Sequence, residues 1–137
     1  MTARAWLSAP LLALTVTACG SDGDASLTEL QRVQAGELNL VLLSENGAIG
    51  QNGDAFVLEF RSAADGALVE VGRAKAAATM LMPGMSPMFG DVTLEPTEEP
   101  GRFRATGDFS MAGSWRLSVD WDGPAGSGST TISTTVR

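Results

Sequence analysis

The sequence predicts an all-β protein, and three observations support this prediction. Apolar and polar residues alternate with a period of two in several short runs, which is typical of strands with one buried and one solvated face. Clusters rich in Gly, Pro, Asn and Asp separate these runs and indicate turns. About seven such strands in about 100 residues have the size and spacing of an immunoglobulin-like antiparallel β-sandwich.

The first twenty residues differ from the rest of the chain. Arg4 gives a modest positive start, and an apolar run follows over residues 6–18. This run is shorter than the about 20 apolar residues that a membrane span needs, and it suits the core of a signal peptide. It ends in VTAC, which resembles the bacterial lipobox. We therefore predict a lipoprotein signal peptide over residues 1–18 and acylation of Cys19, with an ordinary signal peptide as the alternative.

The segment after the cysteine is predicted to be a tether. Residues 19–35 would connect the lipid to a folded domain over residues 36–137. The tether starts with small and acidic residues, and Ser26 and Glu29 then fit a helix-capping box. The apolar residues at helical spacing are Leu27, Leu30 and Val33. We expect either one or two helical turns here or a disordered segment.

The strands are justified by the residues that share one face of each run. Two less regular strands are expected at about residues 67–82, with a break near Gly72, and at about residues 91–96. The expected core includes the aromatic residues Phe56, Phe60, Phe103, Phe109, Trp115 and Trp121. The clear inward sets are Leu38, Leu40 and Leu42; Phe56, Leu58 and Phe60; Phe103, Ala105 and Gly107; Trp115, Leu117, Val119 and Trp121; and Ile132, Thr134 and Val136.

The charge balance restricts the partners of the domain. Without the signal peptide, which takes Arg4 with it, the chain has 16 acidic and eight basic residues, for a net charge of −8. Such a surface disfavours nucleic acid, because binding depends on Lys and Arg that neutralise phosphates. It also disfavours electrostatic docking onto anionic lipid, so the acyl chains on Cys19 would hold the protein at the membrane. Gly20 after the cysteine favours the outer membrane, facing the periplasm, if the organism is Gram-negative.

The absent residue types restrict the chemistry. The sequence has no histidine and no tyrosine, which removes serine–histidine triads and histidine-ligated zinc or copper(II) sites. Cys19 is the only cysteine, so a lipidated chain has no free thiol and no disulfide. The carboxylate pairs Asp120/Asp122 and Glu98/Glu99 are typical of solvated faces and turns. We predict that the protein is not an enzyme.

The methionines form the most unusual feature of the sequence. Four of the six methionines, Met80, Met82, Met85 and Met88, lie within nine residues, and Met111 is the only other one besides Met1. A thioether is soft and uncharged, so it selects Cu(I) over hard ions and needs no deprotonation. Residues two apart on a strand point to the same face, and Pro83-Gly84 would turn the chain back. Three of these sulfurs could therefore converge on one metal ion.

Two other interpretations of the methionines remain open. Methionine is a flexible filler of irregular cores, and its sulfur packs well against aromatic edges such as those of Phe89, Phe109 and Trp115. The cluster would then close one end of the sandwich without binding a ligand. Alternatively, the methionines form a contact patch for another protein of the cell envelope.

Several segments between Gly36 and Asp122 resemble a known family. They are Gly50-Gln-Asn52 before the strand at 56–60, Met82-Pro-Gly-Met85, Gly101-Arg-Phe103, and the segment Phe109-Ser-Met-Ala-Gly-Ser-Trp115-Arg-Leu117. Together they resemble the YtkA-like/FixH-like family of small extracytoplasmic β-sandwich domains. The family includes domains associated with copper supply to oxidases and with heavy-metal efflux adaptors.

The resemblance implies a site for this chain. Met82, Met85 and Met111 match the recurring methionines of the family, and Met80 and Met88 extend the cluster. The chain lacks the transmembrane anchor of FixH-type proteins, which implies a free-standing lipoprotein. It also lacks a histidine beside the sulfurs, which narrows any metal to Cu(I)-like ions. The resulting expectation is a membrane-anchored binding protein, with a structural or protein-interaction module of the cell envelope as the alternative.

Overall fold

The computed structural model describes residues 26–137, which form eight antiparallel β-strands. Each strand follows a run of alternating apolar residues or a hairpin partner of such a run. Their bounds are β1 Thr28–Ala35, β2 Leu38–Ser44, β3 Asn52–Ser62, β4 Arg73–Met80, β5 Met88–Pro96, β6 Arg102–Asp108, β7 Gly113–Gly123 and β8 Gly126–Val136.

The eight strands form one sheet in the order β1-β2-β3-β6-β5-β4-β7-β8. The sheet curls over itself until its edge strands β1 and β8 come into contact, and a parallel bridge joins Ile49 to Val136. The result is a nearly closed sandwich with one apolar interior. The predicted all-β sandwich is confirmed, with eight strands in place of about seven.

Strand direction gives the sandwich two distinct ends. The first, which we call the methionine end, carries the β2–β3, β4–β5 and β6–β7 loops and the start of β1 at Thr28. The opposite end, which we call the glycine end, carries the β1–β2, β3–β4, β5–β6 and β7–β8 connections. The methionine end therefore holds residues 81–87 and 109–112 side by side in the fold.

The alternating residues build the interior as predicted. Along β7 the burial alternates strictly, so Trp115, Leu117, Val119 and Trp121 are buried while their neighbours are exposed. Phe60 packs edge-on against Phe103 at a ring-centroid distance of 5.6 Å and against Trp121 at 5.5 Å. All six predicted core aromatics are buried: Phe56, Phe60, Phe103, Phe109, Trp115 and Trp121.

The prediction for the segment before Gly36 is wrong. Residues 28–35 form the edge strand β1, not a helix or a free tether, and β1 pairs with β2 along its length. The pairing shifts by one residue between Glu29 and Gln31, and such a bulge inserts one extra residue into the strand. Leu30 and Val33 can then both pack against the core despite lying three apart. A bulged strand thus mimics helical spacing in the sequence.

Two strand boundaries also differ from the expectation. Strand β4 begins only at Arg73, after the break near Gly72, and the segment before it contributes a single bridge between Arg61 and Leu68. Strand β5 begins at Met88 rather than near residue 91, because the β4–β5 hairpin pairs as far as Met80 and Met88. No helix within residues 26–137 has the length and apolar character to cross a bilayer.

Candidate functional site

The methionine-rich segment forms the tip of the β4–β5 hairpin. Met80 and Met88 are direct cross-strand partners at its end. Between them the backbone N–H of Met85 donates to the carbonyl oxygen of Met82 at 3.2 Å, which closes a four-residue turn. Gly84 has a φ of 76°, and Pro followed by a residue with positive φ is the signature of a type II turn. The sequence Met-Pro-Gly-Met therefore reverses the chain as predicted.

Three of the five methionines lie on the interior side of the hairpin. Met80 is 6% exposed, and Met82 and Met88 are partly buried and pack against the core. Met80 and Met88 are direct partners on one face, with Cβ atoms of such pairs about 4.5–5.5 Å apart. Met82 continues the inward alternation of β4 by one step. The strand geometry thus places these three residues on the same side of the hairpin end.

The other two methionines are more exposed and lie at the outer edge of the methionine group. Met85 sits in the turn and is 65% exposed, and Met111 lies in the β6–β7 loop and is 37% exposed. The Met111 carbonyl oxygen accepts a hydrogen bond from the Trp115 indole Nε1 at 3.0 Å. This bond holds the β6–β7 loop over the end of the core.

Met80 connects the hairpin to the β6–β7 loop. Its Cε methyl occupies the space that a side chain on Gly113 would need. Gly113 follows Met111 by two residues and begins β7. A glycine at this position therefore lets a thioether from β4 reach the loop that carries Met111.

An aromatic pair forms the floor beneath the methionines. Phe109 and Trp115 lie at a ring-centroid distance of 5.2 Å. A side chain on Gly90 would meet both rings at 3.3 Å, and Gly90 pairs with Ala78 across the hairpin. Met80 and Met88 form the next inward pair toward the tip, about 7 Å further along the strands. The thioethers therefore form one layer above the aromatic rings.

Carboxylates and thiols do not build a competing metal site in the described part of the chain. Within residues 26–137, no three His, Cys, Asp or Glu side chains lie close enough together to hold a metal ion. The side chains of the thioether layer are neutral and soft donors. Cys19, the predicted lipidation site, lies outside the described residues.

Comparison with known families identifies the domain. The family model of YtkA-like domains matches residues 31–120. The chain belongs to the YtkA-like family. The predicted resemblance is thereby confirmed, and the match includes all five clustered methionines. It starts within β1 and ends within β7, so β8 lies beyond it.

Two solved structures are similar to this YtkA-like chain. The filamin domain of Lin-41 has a TM-score of 0.40 and 20% sequence identity, with 66% of this chain and 81% of that chain covered. FetP of uropathogenic E. coli strain F11 has a TM-score of 0.48 and 10% identity, with 80% of this chain and 93% of that chain covered. A search of curated proteins finds no match for the sequence.

The YtkA-like domain also has a concave region on the outer face of β3 and β6 that the sequence did not predict. A cavity of about 520 Å³ lies there, lined by Val57, Glu99, Arg102 and Arg104 among others. Beside it Glu59, which alternation places on the solvated face, is only 2% exposed.

Glu59 is buried because two arginines enclose it. It forms an ion pair with Arg61 on its own strand, and its Oε1 lies 3.5 Å from Nη2 of Arg102 on β6. Arg102 in turn pairs with Glu99 at 3.0 Å. The sequence gives no sign of this network, because Glu59 and Arg102 meet only through the pairing of β3 with β6.

Proposed function

We propose that this YtkA-like domain is a non-enzymatic extracytoplasmic binding protein that holds Cu(I) in its methionine layer. Met80, Met82 and Met88 would supply inner thioethers, and Met85 and Met111 would close over the ion from the rim. The observation that supports the proposal is the placement of three buried or partly buried methionines at one end of the hairpin, two of them direct cross-strand partners.

The surroundings of the layer suit a soft monovalent ion. Thioethers carry no charge and need not lose a proton, so they hold Cu(I) without competition from acid. Phe109 and Trp115 exclude water from the inner side, where a hard, strongly hydrated ion would lose its solvation without compensation. The two exposed methionines lie where an incoming ion would first arrive.

We further propose that Cys19 is acylated and anchors the domain to the membrane, and that the domain faces the periplasm from the outer membrane if the organism is Gram-negative. The lipobox-like VTAC supports this proposal. Replacing Cys19 by Ser is expected to move the protein from the membrane fraction to the soluble fraction. Retention of the Cys19→Ser protein in washed membranes would refute the anchor.

A second function class is favoured by the burial of Met80. At 6% exposure, Met80 packs as a core residue does, and methionine is a common filler of such positions. On this alternative the layer only closes the sandwich, and the domain is a structural or protein-interaction module of the cell envelope. The two hypotheses differ in whether the sulfur atoms, or only their volumes, are needed.

Methionine-to-leucine variants separate the two hypotheses, because leucine keeps the volume and removes the donor. The mature domain is titrated with Cu(I) against a competing chelator. We expect wild-type protein to bind, and Met82→Leu with Met88→Leu to weaken binding at least roughly tenfold, the scale on which metal-site mutations act. Leu81→Ala is the matched control, since Leu81 lies between two of the methionines but points outward and carries no sulfur.

The outcome decides between the two functions. Binding that is lost in the double variant and kept in Leu81→Ala supports the copper site, provided that urea unfolding shows all three proteins equally stable. Binding no tighter than about 1 mM, near −4 kcal/mol, or binding that survives the double variant, excludes the site and leaves the interaction module.

A further inference from the structure

The exposed apolar side chains of the domain gather at one end. Within residues 26–137, the large hydrophobic side chains that are exposed are Leu81 at 54%, Met85 at 65%, Phe89 at 76% and Met111 at 37%. All four lie in the β4–β5 hairpin tip or the β6–β7 loop, at the methionine end. We call this set the apolar rim. Apolar side chains concentrated in this way mark a contact surface.

The metal site does not account for the whole apolar rim. Leu81 and Phe89 carry no donor atom, and they stand on the outer side of the hairpin. Met82 and Met88, their neighbours, point to the inner side. The outer side of the hairpin tip is therefore available for a different contact.

The start of β1 lies at the methionine end, so the connection to Cys19 also leaves the domain there. Strand β1 begins at Thr28, which pairs with Ser44 at the methionine end. Only residues 20–27 separate Cys19 from the strand. Even fully extended, this connection spans at most about 30 Å. The connection to a lipid on Cys19 therefore leaves the domain at the end that carries the apolar rim.

The opposite orientation would need nearly the whole length of the connection. Strand β1 has 8 residues, so at about 3.4 Å per residue the glycine end lies about 27 Å from Thr28. A connection of at most about 30 Å would have to run back along β1 almost fully extended to place that end on the bilayer. The connection therefore favours contact of the methionine end with the membrane.

We propose that the apolar rim inserts into the surface of the lipid bilayer to which Cys19 anchors the chain. This inference rests on the proposed acylation of Cys19. It shares Met85 and Met111 with the proposed copper site, but it does not require that copper is bound. The occupant is a neutral, zwitterionic lipid surface, because Asp91 and Asp108 face each other across β5 and β6 just behind the rim and are both exposed. The inserted side chains fix the orientation of the domain and point the mouth of the methionine layer toward the membrane.

Cys19 allows the anchor to be reproduced chemically. Because it is the only cysteine, residues 19–137 can be coupled through it to a maleimide lipid in phosphatidylcholine vesicles. Phe89→Trp places a fluorophore on the apolar rim at an already exposed position. Ala125→Trp, in the exposed β7–β8 turn at the glycine end, is the matched control. The buried Trp115 and Trp121 give the same background in both proteins.

Vesicles with brominated acyl chains report contact by quenching. The fluorescence added at position 89 is expected to fall by about half, since interfacial side chains reach about 5–10 Å into the headgroup and acyl boundary. The fluorescence added at position 125 is expected to stay unchanged. Met85→Trp provides a second rim reporter if Phe89→Trp misfolds.

Equal quenching at both ends of the sandwich would overturn the proposal, and so would the absence of quenching at both rim positions, 89 and 85. The apolar rim would then be a contact surface for a protein partner. Chemical coupling separates this result from the other proposals. Failure of acylation in cells appears in the Cys19→Ser fractionation, and failure of copper binding appears in the titration of the unanchored domain.

Discussion

The two ends of the sandwich are closed in different ways. At the glycine end, backbone packs directly on backbone, and a buried ion-pair network lies beside it. At the methionine end, flexible thioethers and two aromatic rings close the interior, and apolar side chains remain exposed. One end therefore has a fixed shape, while the other is closed by side chains that can change rotamer.

The glycine end has little room to move. Gly101 has a φ of 82°, and a side chain there would collide with the carbonyl oxygen of Val69. The Phe60 N–H donates to the Gly101 carbonyl oxygen at 2.8 Å, and the Val69 N–H donates to the Phe60 carbonyl oxygen at 2.9 Å. The irregular segment before β4 is thus fixed between β3 and the β5–β6 turn. Neither partner of these contacts has a rotamer to change.

The methionine end is crowded too, but by side chains. A Cβ on Gly113 would meet the terminal methyl of Met80, which sits on three rotatable bonds. A flexible side chain of this kind can move away from a new Cβ atom by changing its rotamer, whereas a backbone segment cannot. Substitutions at the two ends should therefore differ in cost, even where the static geometry shows a collision at both.

The largest effect is expected at Gly101. Gly101→Ala adds the strain of a positive φ, about 1–3 kcal/mol, to a collision with backbone that costs about as much again. We expect a loss of about 4 kcal/mol in the free energy of unfolding, measured with urea. Gly66→Ala is the control, because Gly66 has a φ of 74° and open space around it. A similar loss at both positions would show that the backbone contact adds nothing.

The buried carboxylate of the same end gives the next effect. Glu59→Gln leaves Arg61 and Arg102 facing each other without their shared anion. Removing one partner of a buried pair costs several kcal/mol, and the partial exposure of both arginines reduces this to about 2–3 kcal/mol. The matched control is Glu99→Gln, which removes an exposed partner of Arg102. Equal, small losses in urea unfolding would show that burial of Glu59 is unimportant.

The collision at the methionine end should cost less. Gly113→Ala is expected to lose about 1–2 kcal/mol, mainly from the backbone conformation, which is unfavourable for L-residues. Part of the loss should disappear when Met80 is first replaced by Ala, because the methyl that blocks the site is gone. A double-mutant cycle in urea measures this coupling, for which about 0.5–1 kcal/mol is expected. Strict additivity would mean that the two residues do not touch.

The sequence predicted the two ends unequally well. The alternation around Trp115 and Phe60 identified the core, and the Met82–Met85 turn placed the thioethers at a hairpin tip, because both signals are local. The spacing of Leu30 and Val33 wrongly predicts a helix, because a strand with one extra residue also places inward residues three apart. The burial of Glu59 could not be predicted, because it depends on Arg102, a residue that only strand pairing brings near.

The smallest loss in the free energy of unfolding is expected for the ion pair of β1 at the methionine end, because this pair is exposed whereas Glu59 is buried. Arg32 donates hydrogen bonds to both carboxylate oxygens of Glu29, at 3.1 and 2.8 Å. These hydrogen bonds, and then the positive charge of Arg32, hold the pKa of Glu29 below its usual value despite slight burial. A lowered pKa in the folded state gives stability that is present above the unfolded pKa and is lost as the pH falls through the folded pKa.

Because both side chains are nearly half exposed, at 46% and 44%, solvent screens the pair and little stability depends on it. We expect Glu29→Gln to unfold within error of the wild type at neutral pH. An NMR titration is the sensitive measurement, and Arg32→Gln should return the pKa of Glu29 toward its usual value. A Glu29 titration unchanged by Arg32→Gln, or a clear loss of stability in Glu29→Gln, would contradict the view that fixed charges hold the glycine end and contribute little at the methionine end.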